Sequence, residues 1–232
     1  MDASKSPRWP PHDPPIGFLG ALDAKQAKDL HDRGIPRRFR KGQALFHQGG
    51  VSDRVLVVLR GRIKISSVSE TGKEIVLAFR GPGDLLGELS AIDGEPRSAS
   101  AAAIEPVEAL TLAASDFQAY LRDHAKVALL LLEMVSRRLR DADRKRVEFG
   151  AHDTVGRVAA RLVELAERYG EPVTRGLQIG LPISQEELAG WTGSSREAVS
   201  KALRSLRRVG WVLTERRRIT VLDLEALRRR SA

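Results

Sequence analysis

Between residues 36 and 113 the apolar positions come in short blocks separated by glycine. Val55-Leu56-Val57-Val58-Leu59 is followed by Gly61, and Ile63 and Ile65 then alternate with polar neighbours. Glu70-Thr71-Gly72-Lys73 predicts a hairpin turn, Ile75-Val76-Leu77-Ala78-Phe79 another strand, and Gly81-Pro82-Gly83-Asp84 a further turn. Many short strands bounded by glycine turns predict a compact all-β barrel or roll. Upstream, Leu19, Leu22, Ala27 and Leu30 mark one side of a short helix over 19–33, and Pro36 blocks its continuation.

From about residue 115 the period lengthens. Ser115 is placed to cap a short helix running to Leu121, and a long helix follows over about 124–149. Its seam, Ala125, Ala128, Leu132, Val135, Leu139, Ala142, Arg146 and Phe149, steps alternately by three and four, a heptad pattern that only Arg146 interrupts. Such a helix packs on its own domain or against its twin. The length and the 3.5-residue period point to a dimer through Leu132, Val135, Leu139, Ala142 and Phe149. Asp153 can cap a further helix ending at Tyr169, with Gly170 as its stop.

Residues 182–211 carry a denser signal. Ser184-Gln185-Glu186-Glu187 reads as a capping box, Thr192-Gly193 as a tight turn, and Ser194-Ser195-Arg196-Glu197 as a second capping box opening a second helix. Helix, short glycine turn, helix is the helix-turn-helix pattern. The second helix would bury Ala198, Val199, Ala202, Leu203 and Leu206. Its exposed face, with Arg196, Glu197, Ser200, Lys201 and Arg204 near the N-terminal end, has donors for guanine and an acceptor for cytosine in a major groove. Trp211 to Val221 reads as a two-stranded wing tipped by Arg216, Arg217 and Arg218, suited to phosphate contact. The bland alternative is a plain helical hairpin with a solvated charged face.

Charge agrees with DNA. Thirty-nine Lys and Arg against 30 Asp and Glu give a formal +9, and a basic chain suits a polyanion. The absence of cysteine excludes disulfides, thiolate metal sites and cysteine-held iron–sulfur clusters. His12, His31, His47, His124 and His152 lack metal-ligand spacing and read as surface or incidental, so no metal site is expected. No apolar run approaches the ~18 residues of a membrane span, and the N-terminus lacks the apolar core of a signal peptide, so the expected location is cytoplasmic. No nucleophile–base, paired-carboxylate or metal constellation appears, so no enzyme is expected. The expected layout is a flexible arm (1–18), a β-roll domain (19–122), a long helix (123–151) and a DNA-binding domain (152–232).

Residues 87–99, GELSAIDGEPRSA, hold more than a turn needs. Glycines let backbone approach closely, a buried Arg97 needs an anion, and Glu88 can both orient that arginine and bind a hydroxyl. The alternative is a plain Glu88–Arg97 ion pair closing the turn.

Together these motifs resemble the cyclic-AMP receptor protein and fumarate-nitrate-reductase regulator (Crp/Fnr) family of bacterial transcription factors, over roughly residues 19–225. Gly87-Glu88-Leu89 with Arg97-Ser98-Ala99, and Ser195-Arg196-Glu197-Ala198-Val199-Ser200-Lys201, carry the likeness. The resemblance implies an α+β chain: an N-terminal cyclic-nucleotide-binding β-roll, a long dimerisation helix and a C-terminal winged helix-turn-helix. It implies that Glu88 accepts from the ribose 2′-hydroxyl and Arg97 pairs with the cyclic phosphate. Ser98 and the N–H groups of Leu89 and Ala99 would add donors, and Arg138 would contact Glu88. It further implies a homodimer on near-palindromic double-stranded DNA, with DNA contacts at Ser184, Gln185 and the recognition helix, cyclic AMP as effector, and RNA polymerase as partner. Two positions depart from the pattern. Ala142-Asp143 stands where cyclic-AMP-binding relatives have a Thr-Ser pair on the adenine; Ala142 cannot hydrogen-bond the base, while Asp143 can accept from an amino group. Lys201 stands where the best-studied pattern has arginine and lacks its bidentate fork. A member binding DNA without a nucleotide, or answering another effector, is the alternative.

Overall fold

The computed structural model describes residues 17–51, 53–70, 72–215 and 217–231. Most of the N-terminal arm, Thr71 of the predicted hairpin turn, and Arg216 of the wing lie outside the described residues.

The apolar blocks form the predicted strands. β1 (Ile35–Phe39), β2 (Ala44–Phe46), β3 (Arg54–Arg60), β4 (Ile63–Val68), β5 (Glu74–Arg80), β6 (Leu85–Leu86), β7 (Ser100–Ala103) and β8 (Val107–Ala113) build two antiparallel sheets, ordered β1-β8-β3-β6 and β2-β7-β4-β5. Leu56, Val58, Ile63, Leu86, Ala101, Ala103, Val107 and Ala109 fill the space between them. Removing such side chains from water drives the closure of the roll. The first sheet buries Val55, Val57, Leu85, Leu110 and Leu112 on its other face, against α1 (Ala24–Arg33), α3 (Ala114–Asp123) and the start of α4 (Ala125–Ala151). α2 (Glu88–Asp93) lies between β6 and β7.

Local chemistry explains two departures at the helix starts. Residues 19–33 split into a 3-10 turn (Leu19–Ala21) and α1, because Asp23 caps α1 in a box with Gln26. Ser115 is not a cap: α3 starts one residue earlier, and Ala113 stands at its N-cap position without a side-chain bond.

The C-terminal half is α5 (Thr154–Tyr169), β9 (Gly170–Val173), β10 (Gly176–Ile179), α6 (Gln185–Thr192), α7 (Arg196–Arg208), β11 (Val212–Glu215), β12 (Arg218–Val221) and α8 (Leu224–Arg230). Asp153 caps α5 as expected. The wing is half of a four-stranded sheet, β11-β12-β10-β9. β9 and β10 escaped the sequence reading because their burial does not alternate: β9 is largely exposed along its length. α8, also missed, packs on α5 through Leu227.

His124 is not incidental. It sits between α3 and α4, largely buried, with Nε2 2.7 Å from Asp29 of α1, so it ties the long helix to the first.

The two halves share one core. Val76 and Phe79 of β5 are buried with Leu188, Ala189 and Trp191 of α6 and with Val158 and Leu162 of α5. Arg62 donates to the carbonyl of Gly180, and Lys73 donates to that of Ser194 at 3.3 Å. α4 carries apolar residues on two sides. Val127 and Leu131 are buried in the roll, while Leu129, Leu132 and Leu139 are each 62% exposed.

Candidate functional site

The segment 87–99 opens as a short helix, α2, set between two glycines, and is not a simple turn. Gly87 (φ 78°) and Gly94 (φ 77°) both adopt the left-handed conformation that side chains disfavour. Gly87 is also needed for space: a Cβ there would lie 2.3 Å from Nη1 of Arg97.

Glu88 and Arg97 are both nearly fully buried, at 4% and 3% exposure. They do not pair with each other, which overturns both the idea that Glu88 orients Arg97 and the simple ion pair that would close the turn. Glu88 Oε1 instead accepts from Nη1 of Arg138 at 2.6 Å, and Nη2 of Arg138 donates to the carbonyl of Leu85 at 2.9 Å. The expected Arg138–Glu88 contact therefore ties α4 to the start of α2.

Arg97 is held by carbonyls. Nη1 donates to Gly87 at 2.9 Å and Nη2 to Arg54, while Nε is buried without a partner. The guanidinium lies over the Phe46 ring, 4.5 Å from its centroid. Its backbone is clamped as well: its N–H donates to Gly50 at 3.0 Å, and Gly49 donates to its carbonyl at 2.8 Å. Burial pulls its pKa below the usual arginine range, an effect opposed by the charges of Asp53 and Glu88. A buried guanidinium with a spare donor and, among the described residues, no carboxylate in ion-pair reach suits an anion. Ser98 is exposed and Ala99 buried beside it; Leu89, on α2, is half-exposed. Neither Phe46 nor the Arg54 carbonyl was legible as a partner of Arg97 from the sequence, since both reach it only through the fold.

Ala142 and Asp143 are exposed on α4. Phe149 does more than extend a seam: Gly193, in the helix-turn-helix, has no room for a Cβ because the Phe149 ring would be 2.4 Å away. The Arg157 guanidinium lies 5.6 Å from the same ring.

In the second motif, Ser184 caps α6 in the predicted box with Glu187. Gly193 (φ 59°) makes the left-handed turn. The second cap is Ser195, whose Oγ accepts from Ala198 N–H, and not Ser194. Ser194 is buried and bonded to Arg157. Val199, Ala202, Leu203 and Leu206 are buried as expected, and Ala198 is half-buried. Arg196, Glu197, Lys201 and Arg204 are exposed, and Ser200 is partly so. A backbone hydrogen bond at Glu197 itself, and then the Ser195 hydroxyl, hold the Glu197 carboxyl below the usual range. A cleft of about 440 Å³ opens between α6, α7 and the wing, lined by Ser184, Gln185, Arg196, Arg217 and Arg218 among others. At the wing tip Arg217 (φ 57°) is left-handed, unlike any other described residue except glycines.

The geometry therefore offers a buried anion-seeking arginine beside a fixed carboxylate, and a basic helix and wing facing outward. No helix among the described residues is long and apolar enough to cross a membrane.

Known proteins agree. The cyclic nucleotide-binding domain model matches residues 36–124, and the Crp-like helix-turn-helix domain model matches residues 156–230. The chain is 34% identical over 215 residues to a CRP-like cAMP-activated global transcriptional regulator of Mycobacterium tuberculosis, covering 93% of this chain and 96% of that one. It is 35% identical over 176 residues to a cyclic AMP receptor protein of Thermus thermophilus, covering 76% and 78%. The solved structure of the c-di-GMP responsive regulator CLP of Xanthomonas campestris shares the fold, with a TM-score of 0.77 at 22% identity, over 86% of this chain and 99% of that one. With both halves of its fold and both of its motifs accounted for, the chain belongs to the Crp/Fnr family and is a Crp-like, DNA-binding transcriptional regulator with a cyclic nucleotide-binding domain.

Proposed function

We propose that the chain acts as a homodimer whose sequence-specific DNA binding is gated by a cyclic nucleotide in the roll, with cyclic AMP as the effector. One observation carries this reading: Arg97 is 3% exposed and, among the described residues, has no carboxylate in ion-pair reach and keeps Nε without a partner. An anion at that point stabilises a charge the fold has otherwise left to two carbonyls and a ring. The effector's identity follows the cAMP-activated relative.

In this reading the cyclic phosphate meets Arg97, Ser98 and the N–H groups of Leu89 and Ala99, while Glu88, held by Arg138, accepts from the ribose 2′-hydroxyl. Leu132, Leu139 and Ala142 cover the same residues of a second copy, with Val135 and Phe149 at the edges of that seam. Burying two leucines that are 62% exposed favours association. Paired α7 helices then enter major grooves one turn apart, ~34 Å, on a near-palindrome. Arg196, Glu197, Ser200 and Lys201 face bases, and Ser184, Gln185, Ser195 and the wing arginines Arg217 and Arg218 face phosphates.

In this reading the domains are a roll over 19–122, a long helix over 123–151 and a DNA-binding half over 152–232. The nucleotide gates because Glu88 and Arg138 join the cassette to the helix, so its contacts differ between arrangements of that helix. The regulator works in the cytoplasm, with RNA polymerase as its partner at promoters, and has no catalytic activity of its own.

The test is calorimetric titration with cyclic AMP and cyclic GMP, with Arg97→Ala as control, beside DNA binding with and without ligand. Micromolar binding lost in Arg97→Ala supports the reading. DNA binding that needs no nucleotide, with no heat from either, overturns the gating.

A further inference from the structure

α4 and β5 are fastened together at one end and α4 and β6 at the other. Lys145 Nζ donates to the carbonyl of Leu77 in β5 at 3.3 Å, and Arg138 donates to that of Leu85 in β6 at 2.9 Å. Arg80 lies between these ties, at the end of β5. Its neighbour Phe79 faces out of the roll onto Trp191, and so does Lys64, the cross-strand partner of Phe79, whose Nζ is 3.9 Å from Glu187. Strand alternation therefore turns Arg80 and Ala78 the other way. Their cross-strand partners, Ile63 and Ile65, belong to the interior of the roll.

Arg80 is half-buried there with no carboxylate in ion-pair reach among the described residues. Its hydrogen bond is Nη1 to the Phe79 carbonyl at 3.1 Å. Burial and the charge of Arg138 pull its pKa down to about 10, with Asp84 opposing and Arg168 and Tyr169 also close. Asp84 is itself engaged, accepting from the Gly81 N–H at 2.9 Å and lying 3.7 Å from Arg168. Arg80 is thus a charge with donors to spare, beside the helix that holds Glu88.

The helix opposite gives one protomer little else with which to read a base. At 100° per residue, Ala142 lies about 40° round from Arg138 and about 60° from Lys145, exposed between the ties to this roll and the Leu132–Leu139 seam. Its methyl group has no hydrogen bond to offer. Asp143 lies about 140° from Arg138 and about 160° from Lys145, so it points away from this roll.

Resting on the nucleotide reading above, we propose that Arg80 is a specificity-determining residue: its guanidinium reads the acceptor edge of a purine cyclic nucleotide, N7 and, in guanine, O6. Guanine offers a bidentate partner to arginine, whereas adenine keeps N7 but turns its 6-amino donor toward a group with nothing to accept it. Arg80 therefore sets how far the pocket accepts the 6-oxo base beside cyclic AMP.

The test is calorimetric titration of the full chain with cyclic AMP and cyclic GMP, in the unaltered protein, Arg80→Leu and Arg80→Lys. Arg80→Leu weakens cyclic GMP at least ten-fold and cyclic AMP less than three-fold, and Arg80→Lys falls between. Parallel losses for the two nucleotides, or no loss of either, overturn this inference while leaving the nucleotide reading standing. No binding of either nucleotide to the unaltered protein overturns that reading and this inference with it.

Discussion

Phe79 of the roll and Trp191 of α6 meet edge to face, with ring centroids 5.0 Å apart and planes inclined by 72°. Lys145 lies 5.4 Å and Arg161 5.6 Å from the same indole. Arg161 is held in turn by Glu148 of α4 and by Glu164 of α5. One tryptophan thus touches the roll, the long helix and α5. Phe79→Ala should cost about 3–5 kcal/mol, the usual range for an aromatic removed from a core. Because the contact joins the two halves, the variant should unfold in two steps where the unaltered chain unfolds in one. Differential scanning calorimetry checks this; a single transition at the original temperature would show that the halves do not depend on the contact.

Gly87→Ala tests the cassette geometry. The new methyl meets Arg97 Nη1 at 2.3 Å and sits on a backbone with φ 78°. It should destabilise the roll by more than the ~1 kcal/mol of an ordinary glycine position and displace the guanidinium. Nucleotide affinity should then fall nearly as far as in Arg97→Ala. Titration of both variants side by side reads the outcome, and unchanged affinity would mean that Arg97 does not need its present position.

Glu88 and Arg138 form a buried pair whose two members are not equivalent. The Glu88 side chain is 5% exposed and that of Arg138 24%. Arg138→Ala leaves a buried carboxylate without its partner and should cost about 3–5 kcal/mol. Replacing both, as Glu88→Gln with Arg138→Met, should recover most of that loss while weakening ribose recognition, since an amide oxygen accepts less strongly than a carboxylate. A double-mutant cycle by urea denaturation measures the coupling. Losses that simply add would place the worth of Arg138 in its bond to Leu85.

Much of this was readable from the sequence because the signals were local. Glycine turns bounded the strands, Ser184 with Glu187 and Asp153 announced their helices, and the steps of three and four gave α4. What escaped was assembled across distance. Nothing in the neighbourhood of Phe46 says that it will stack on Arg97, and Glu88 chose Arg138 over Arg97 because the fold brings α4 to its carboxylate. The second cap moved from Ser194 to Ser195 because both serines fit a cap, and burial against Arg157 claimed the first. β9 was invisible because an exposed strand has no apolar rhythm.

Arg196→Ala should weaken binding to the preferred operator by about 1–3 kcal/mol and relax one base position, since Arg196 is exposed in the first turn of α7. Lys201→Ala should cost less, because lysine lacks the bidentate fork. Binding to a set of operators with single-base changes separates the cases. An equal loss on every sequence would make Arg196 a phosphate contact.

Arg217 presents a conflict between stability and function. Its φ of 57° is a conformation that glycine and asparagine adopt more readily, in a tight turn where Glu215 and Arg218 are cross-strand partners. Such strain costs of order 1–3 kcal/mol and persists where the side chain is wanted for another purpose. Here the side chain is exposed on the cleft beside α6 and α7, among the groups proposed above to meet phosphate. Arg217→Gly should therefore raise the melting temperature and weaken DNA binding evenly across sequences. The slope of log affinity against log salt should fall by about one unit, the loss of one phosphate contact. A stabilised variant with unchanged salt dependence would show that the left-handed turn serves the hairpin alone.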